Sequence, residues 1–159
     1  MRLLPVAFAA SLPLAFALAA TDAGAATSAA NASNPCQGAL PAFETQIRKR
    51  PLGVNNEGTA TAFVSCSTAT GYNPSTITAA IVIVTNRNAG PIDIDCTLVN
   101  GGIAGAVSYH PKTHSAPAGT PSVIAWTPAD VGGALSMYQN FSCALPPNVD
   151  INVVGYDYS

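Results

Sequence analysis

Downstream of residue 35, apolar and polar side chains alternate with a period of two, and turn-forming residues interrupt the alternation about every 8–12 positions. TATAFVSC (59–66) follows the turn NNEG. TITAAIVIVTN (76–86) is apolar on both parities, with Ile77, Ala79, Ile81 and Ile83 on one side and Ala80, Val82 and Val84 on the other. A strand covered on both faces reads this way, and the density of β-branched residues sets the segment against a helix. IDIDCTL (92–98) separates Ile92, Ile94, Cys96 and Leu98 from Asp93, Asp95 and Thr97, which predicts a half-buried strand with an acidic outer stripe. IAGAVSY (103–109) comes next, and the proline-rich HPKTHSAPAGTP (110–121) predicts a loop before VIAWT (123–127). LSMYQNFSCAL (135–145) sets Leu135, Met137, Phe141, Cys143 and Leu145 on one face and stops at two prolines, which have no amide hydrogen for a ladder. DINVVGYDY (150–158) changes parity between Val153 and Val154, beside Gly155, the signature of a bulge.

About seven or eight short strands with polar turns, and no helical periodicity of useful length, predict an all-β fold. The expected architecture is a single antiparallel β-sandwich, Greek-key or jelly-roll-like, over residues 36–159. Residues 26–35 (ATSAANASNP) are small and polar and predict a flexible N-terminal segment.

Residues 1–25 change where this domain is expected to work. Arg2, an apolar run and Ala-x-Ala spacing make a signal peptide, with cleavage expected after Ala19 or Ala25. The run contains Pro5 and Pro13, spans about 18 residues and lacks a basic stop, so a membrane anchor fits it less well. The protein is therefore expected to be secreted or periplasmic. After residue 25, Arg48, Lys49, Arg50, Arg87 and Lys112 stand against seven carboxylates, a slightly acidic balance that argues against nucleic acid. Only 9% of the chain is charged, so its surface must be Ser, Thr, Asn and Gly.

In an exported chain Cys36, Cys66, Cys96 and Cys143 predict two disulfides, with three connectivities open. Zinc and redox sites need close cysteine pairs, and no two here are nearer than 30 residues. The bridges are expected to tie two facing layers together. His110 and His114, four apart in YHPKTHS, and Asp93 and Asp95, two apart on one strand, are the candidate metal ligands or hydrolytic groups. Strand geometry puts the two carboxylates roughly 6–7 Å apart, near the separation used in glycoside hydrolysis. A loop and a solubilising edge are the plainer readings of these two pairs. Arg48-Lys49-Arg50 is the single charge run, read as a solvated strand entry or a contact for an acidic surface. Trp126 is expected in the core, and Tyr138 in solvent, where tyrosines can stack on sugars. No nucleophile or phosphate-binding motif is present.

Cys36-Gln37, Asn56-Glu57-Gly58 before Val64-Ser65-Cys66, Cys96-Thr97-Leu98 and Cys143-Ala144-Leu145-Pro146-Pro147 form a set. On these residues the chain resembles a broad group of exported bacterial four-cysteine β-rich proteins. It departs from their common pattern at Ser67, where proline is frequent, and in ending at Tyr158-Ser159 without a glutamate. The resemblance implies export and the fold, and implies neither an activity nor a site residue. The expected function is a non-catalytic binding or structural module without a cofactor, taking a carbohydrate or protein at the cell surface. Its contact surface is expected on the exposed polar strand faces or on 110–121. The alternatives are a hydrolase or metal-dependent protein built on Asp93/Asp95 or His110/His114, and a secreted inhibitor or effector.

Overall fold

A computed structural model describes residues 25–69, 73–101 and 105–159. The leader lies outside them, as do Tyr72 and the first residues of IAGAVSY. In chain order the strands are β1 (Ala26–Asn31), β2 (Cys36–Gly38), β3 (Ile47–Arg50), β4 (Gly53–Asn56), β5 (Ala62–Ala69), β6 (Ile77–Asn86), β7 (Ile92–Gly101), β8 (Val107–Ala116), β9 (Pro121–Trp126), β10 (Tyr138–Leu145) and β11 (Val149–Tyr158). Two four-residue helices, α1 (Pro41–Glu44) and α2 (Pro128–Val131), interrupt them.

The strands form the expected antiparallel sandwich. One sheet runs β3-β4-β11-β6-β9, with β1 also on β11, and the other runs β2-β5-β10-β7-β8. The inward parities of IDIDCTL and of the β10 segment meet between the sheets, where Ile94, Leu98, Phe141, Leu145 and Trp126 are all but inaccessible. Each apolar side chain of this kind contributes about 1.5–3 kcal/mol. Trp126 stacks at a tilt on Phe141, with centroids 5.7 Å apart, and its indole nitrogen donates to His110 O at 2.8 Å. Its polar end is therefore satisfied within the core.

Several expectations give way to tertiary context. Residues 26–31, read as part of a flexible segment, form β1 and pair with the last strand from Ala26↔Tyr158 to Asn31↔Val153. Small residues suit this position, because a Cβ on Gly155 would meet Ser28 O at 2.3 Å. HPKTHSA, read as a loop, continues β8 as far as Ala116. Pro111 is tolerated because β8 is an edge strand and needs only alternate amides for its ladder. The β11 bulge falls at Asn152, since register shifts between Ile151 and Val153. Met137 is exposed, lying ahead of β10 rather than within its alternation. On β6, Ala80, Val82 and Val84 enter the core, and on the opposite side, the outer surface of the sandwich, Ile81 is buried whereas Ala79 and Ile83 are only half-buried.

The four cysteines pair as Cys36–Cys66 and Cys96–Cys143. Neither bridge joins the two layers. Cys36 lies directly opposite Cys66 on neighbouring strands, and Cys96 directly opposite Cys143, so both bridges lie within the five-stranded sheet. Opposed residues of adjacent strands stand closer than residues across a sandwich about 10 Å thick.

Candidate ligand-binding surfaces

The structure keeps Asp93 and Asp95 together on the outward side of β7, as expected, and sets His110 and His114 apart. His110, Lys112 and His114 alternate along β8 on its inward side, where the edges of the two sheets meet at β9. His110 Nε2 lies 2.8 Å from Ser108 Oγ, and His114 Nε2 lies 2.9 Å from Ser122 Oγ. Lys112 sits between them, donating to Ala125 O at 2.6 Å and pairing with Asp130 at 3.1 Å. Four residues of extended strand separate the imidazoles by about 13 Å, and the ammonium between them repels a cation. Asp93 and Asp95 point outward from β7, where Asp95 accepts from Thr113 Oγ1 at 2.6 Å. Among the described residues no three His, Cys, Asp or Glu side chains group closely enough to hold a metal.

Two surfaces have the make-up of contact sites. The first is the outer face of the five-stranded sheet, whose register sets Ser67, Asn140, Val99 and Tyr109 in one row and Ser65, Ser142, Thr97 and Pro111 in the next. Tyr109 is 69% exposed and Tyr138 37%. They stand two strands apart and one row offset, about 12 Å by strand spacing. Hydroxyls and amides share the face with the apolar Val99 and Pro111, and Asp93 and Asp95 close one end, where Phe63, 46% exposed, lies in the row of Asp95.

The second surface is a cleft of about 570 Å³ at one corner of the six-stranded sheet. Two arches of equal length, each crossing from one sheet to the other, build its floor. Asn56, ending β4, donates to Ala60 O at 2.9 Å and Leu145 O at 2.7 Å and accepts from Gly58 N at 2.9 Å. Asn86, ending β6, repeats the pattern with Gly90 O at 2.8 Å, Ala116 O at 3.0 Å and Asn88 N at 2.9 Å. Both asparagines are fully buried, which their satisfied amides permit. Asn148 takes φ 58°, a left-handed conformation that asparagine tolerates. Its backbone ties the arches together, its N–H donating to Asn56 O and its carbonyl accepting from Arg87 N, both at 2.9 Å.

The residue after each anchoring asparagine, Glu57 or Arg87, projects into this cleft. Arg87 Nε donates to Asp150 Oδ2 at 2.6 Å, and its Nη2 lies 2.5 Å from the same oxygen. Asn55 Nδ2 donates to Asp150 Oδ1. Asp150 is buried under these partners, and its hydrogen bond and charge raise the Arg87 pKa. Arg50 Nε and Nη2 both reach Glu57 Oε1. Pro51 and Leu52, the two-residue turn between β3 and β4, form the wall, held by Asn31 Nδ2 on Pro51 O at 2.8 Å and Asn152 Nδ2 on Leu52 O at 3.3 Å. Gly53 lets the turn approach β11: its φ is +146°, and a Cβ there would meet Ile151 O at 2.1 Å.

Motif reasoning did not reach this cleft. The available signal was the pair Asn56-x-Gly58 and Asn86-x-Asn88, each a buried Asx turn followed by a charge. That Arg87 meets Asp150, 63 positions away, has no local signature.

No protein-family model matches the chain, and no curated protein matches it. Similar solved structures include a carbohydrate-binding module CBM36 in complex with calcium and xylotriose, at 15% identity and TM-score 0.43, covering 81% of this chain and 98% of that one. Another is a Podospora anserina GH26-CBM35 β-(1,4)-mannanase, at 12% identity and TM-score 0.45, covering 84% of this chain and 28% of that one. Likeness at this level transfers neither a ligand nor a residue role.

Proposed function

We propose that this protein is a non-catalytic binding module that works outside the cytoplasm and takes a neutral polysaccharide on the outer face of its five-stranded sheet. One observation carries the reading: Tyr109 and Tyr138 stand exposed on a face that also presents Ser65, Ser67, Thr97, Asn140 and Ser142. Tyrosine offers a flat apolar ring with a polar end, suited to the C–H face of a sugar, and the hydroxyls and amides around it suit the sugar's own hydroxyls. Asp93 and Asp95 on the same face disfavour a polyanion. Two buried disulfides suit an oxidising compartment. The separation of His110 from His114 along β8, and the position of Asp93 and Asp95 on an open strand face, support binding over hydrolysis.

Affinity electrophoresis in gels cast with xylan, mannan or β-glucan tests the reading. At least one polymer should retard the protein, and Tyr109→Ala and Tyr138→Ala should each weaken retardation up to about tenfold. Both tyrosines are exposed, so the fold should hold. Undiminished retardation of the double variant, or no retardation by any polymer, refutes the proposal.

A further inference from the structure

Three of the five basic residues after residue 25, Arg48, Arg50 and Arg87, lie on the outer side of the corner that holds the cleft, beside Glu57 and Asp150, in a chain whose net charge is −2. Arg48 and Arg50 lie opposite Asn55 and Gly53, so they share the outer side of the sheet with Asn55 and Asp150. Arg50 and Arg87 both line the cleft, and their side chains are 58% and 59% exposed. Each spends Nε and Nη2 on one carboxylate oxygen, and Nη1 of each bonds to no described residue. Arg87 is fixed in place by a carboxylate that is itself buried, and Arg50 by an exposed ion pair, a weak contact that an incoming anion can displace. Leu52, 71% exposed, and Pro51 supply an apolar lip.

We infer that this corner is a second binding site, separate from the tyrosine face, which takes the carboxylates of an acidic polysaccharide such as a polyuronate. Arg50, once its exposed pair with Glu57 is displaced, offers its guanidinium fork to a planar carboxylate, and Arg87 adds the donors of its Nη1. The lip accepts the apolar side of a sugar ring, and the cleft admits one ring. Arg48 lies two residues along the strand from Arg50, about 7 Å away, where it meets the next anionic unit of a chain. An anionic bilayer fits less well, because three guanidinium groups beside Glu57 and Asp150 attract a charged surface only weakly.

The test is titration calorimetry of the mature, unreduced protein carrying Tyr109→Ala and Tyr138→Ala, so that the other face does not contribute. The probes are oligogalacturonate, the corresponding neutral galactan oligosaccharide, and phosphatidylglycerol vesicles. Oligogalacturonate should bind, its affinity should fall with added salt, and the neutral oligosaccharide should not bind. Arg50→Gln, at an exposed pair that leaves the fold intact, should weaken binding about tenfold, the loss of one charge-assisted contact. Arg87→Lys keeps the charge opposite Asp150 but loses the free Nη1 donors, and should weaken binding similarly without lowering the melting temperature by more than a few degrees. Equal binding of the neutral oligosaccharide, unchanged affinity in Arg50→Gln, binding to vesicles alone, or no binding at all would each overturn the inference.

Discussion

Asn86→Ala is the substitution whose cost can be worked most directly from contacts. The side chain is inaccessible to solvent and holds the arch between β6 and β7 through both ends of its amide. Alanine removes donors to Gly90 O and Ala116 O and the acceptor for Asn88 N and Asn88 Nδ2. Gly90 is exposed, so its carbonyl can turn to water. Ala116 is buried, and its carbonyl loses that option. One orphaned buried acceptor costs about 1–3 kcal/mol, and each bond whose partner can be rehydrated costs about 0.5–1 kcal/mol. The total is about 4 kcal/mol, which for a domain of this size lowers Tm by roughly 15 °C. Urea denaturation with disulfides intact should show the midpoint falling at an unchanged slope, the signature of lost stability without a change in exposed surface. Asn56→Ala, which deletes the matching bonds of the other arch, should cost about the same. A loss below about 1 kcal/mol in Asn86→Ala, or a large inequality between the two variants, would refute the claim that buried asparagines pin the two arches.

Three further outcomes follow from the sheet and its caps. Replacing Cys96 and Cys143 together by alanine opens a 47-residue loop, for which chain entropy assigns about 4 kcal/mol, and amide exchange should quicken across β7, β10 and β5. Replacing Cys36 and Cys66 should quicken exchange mainly in β2, a three-residue edge strand, and uniform loss of protection across the five-stranded sheet would refute the edge assignment. Asp130 caps α2 through Thr127 N at 2.7 Å and Thr127 Oγ1 at 2.9 Å and pairs with Lys112; the Thr127 bonds, then Lys112, lower its pKa to about 2. Because the folded value is depressed, its contribution is present above the unfolded carboxyl value near 4 and is lost as pH falls through about 2. Carboxyl ¹³C shifts should show that midpoint, and one near 4 would refute the cap.

The candidate sites divide in the same way as the fold. Tyr138 was legible as a solvent-facing ring from its parity with Asn140 and Ser142, and the acidic stripe of Asp93 and Asp95 from alternation within IDIDCTL. The run Arg48-Lys49-Arg50 was legible as a charge cluster, but not its neighbour Arg87, which reaches that corner only because β4 and β6 flank β11. His110 and His114 were misplaced for a related reason. Prolines around them signal a loop in isolation, and only the edge position of β8 makes Pro111 harmless.

Side-chain alternation is a property of consecutive residues, so the amino-acid sequence alone settled which faces of β7 and β10 enter the core, that Trp126 is buried, and that two prolines end β10. Partner choice between strands is decided by residues far apart, and there local pattern is silent. Which cysteines stand opposite each other, that both bridges lie within one sheet, that Ala26–Asn31 zips onto the last strand, and that Asp150 is buried beneath Arg87 all depend on strand order and register. A period-two pattern fits many pairings equally well, and only the packed sandwich selects among them.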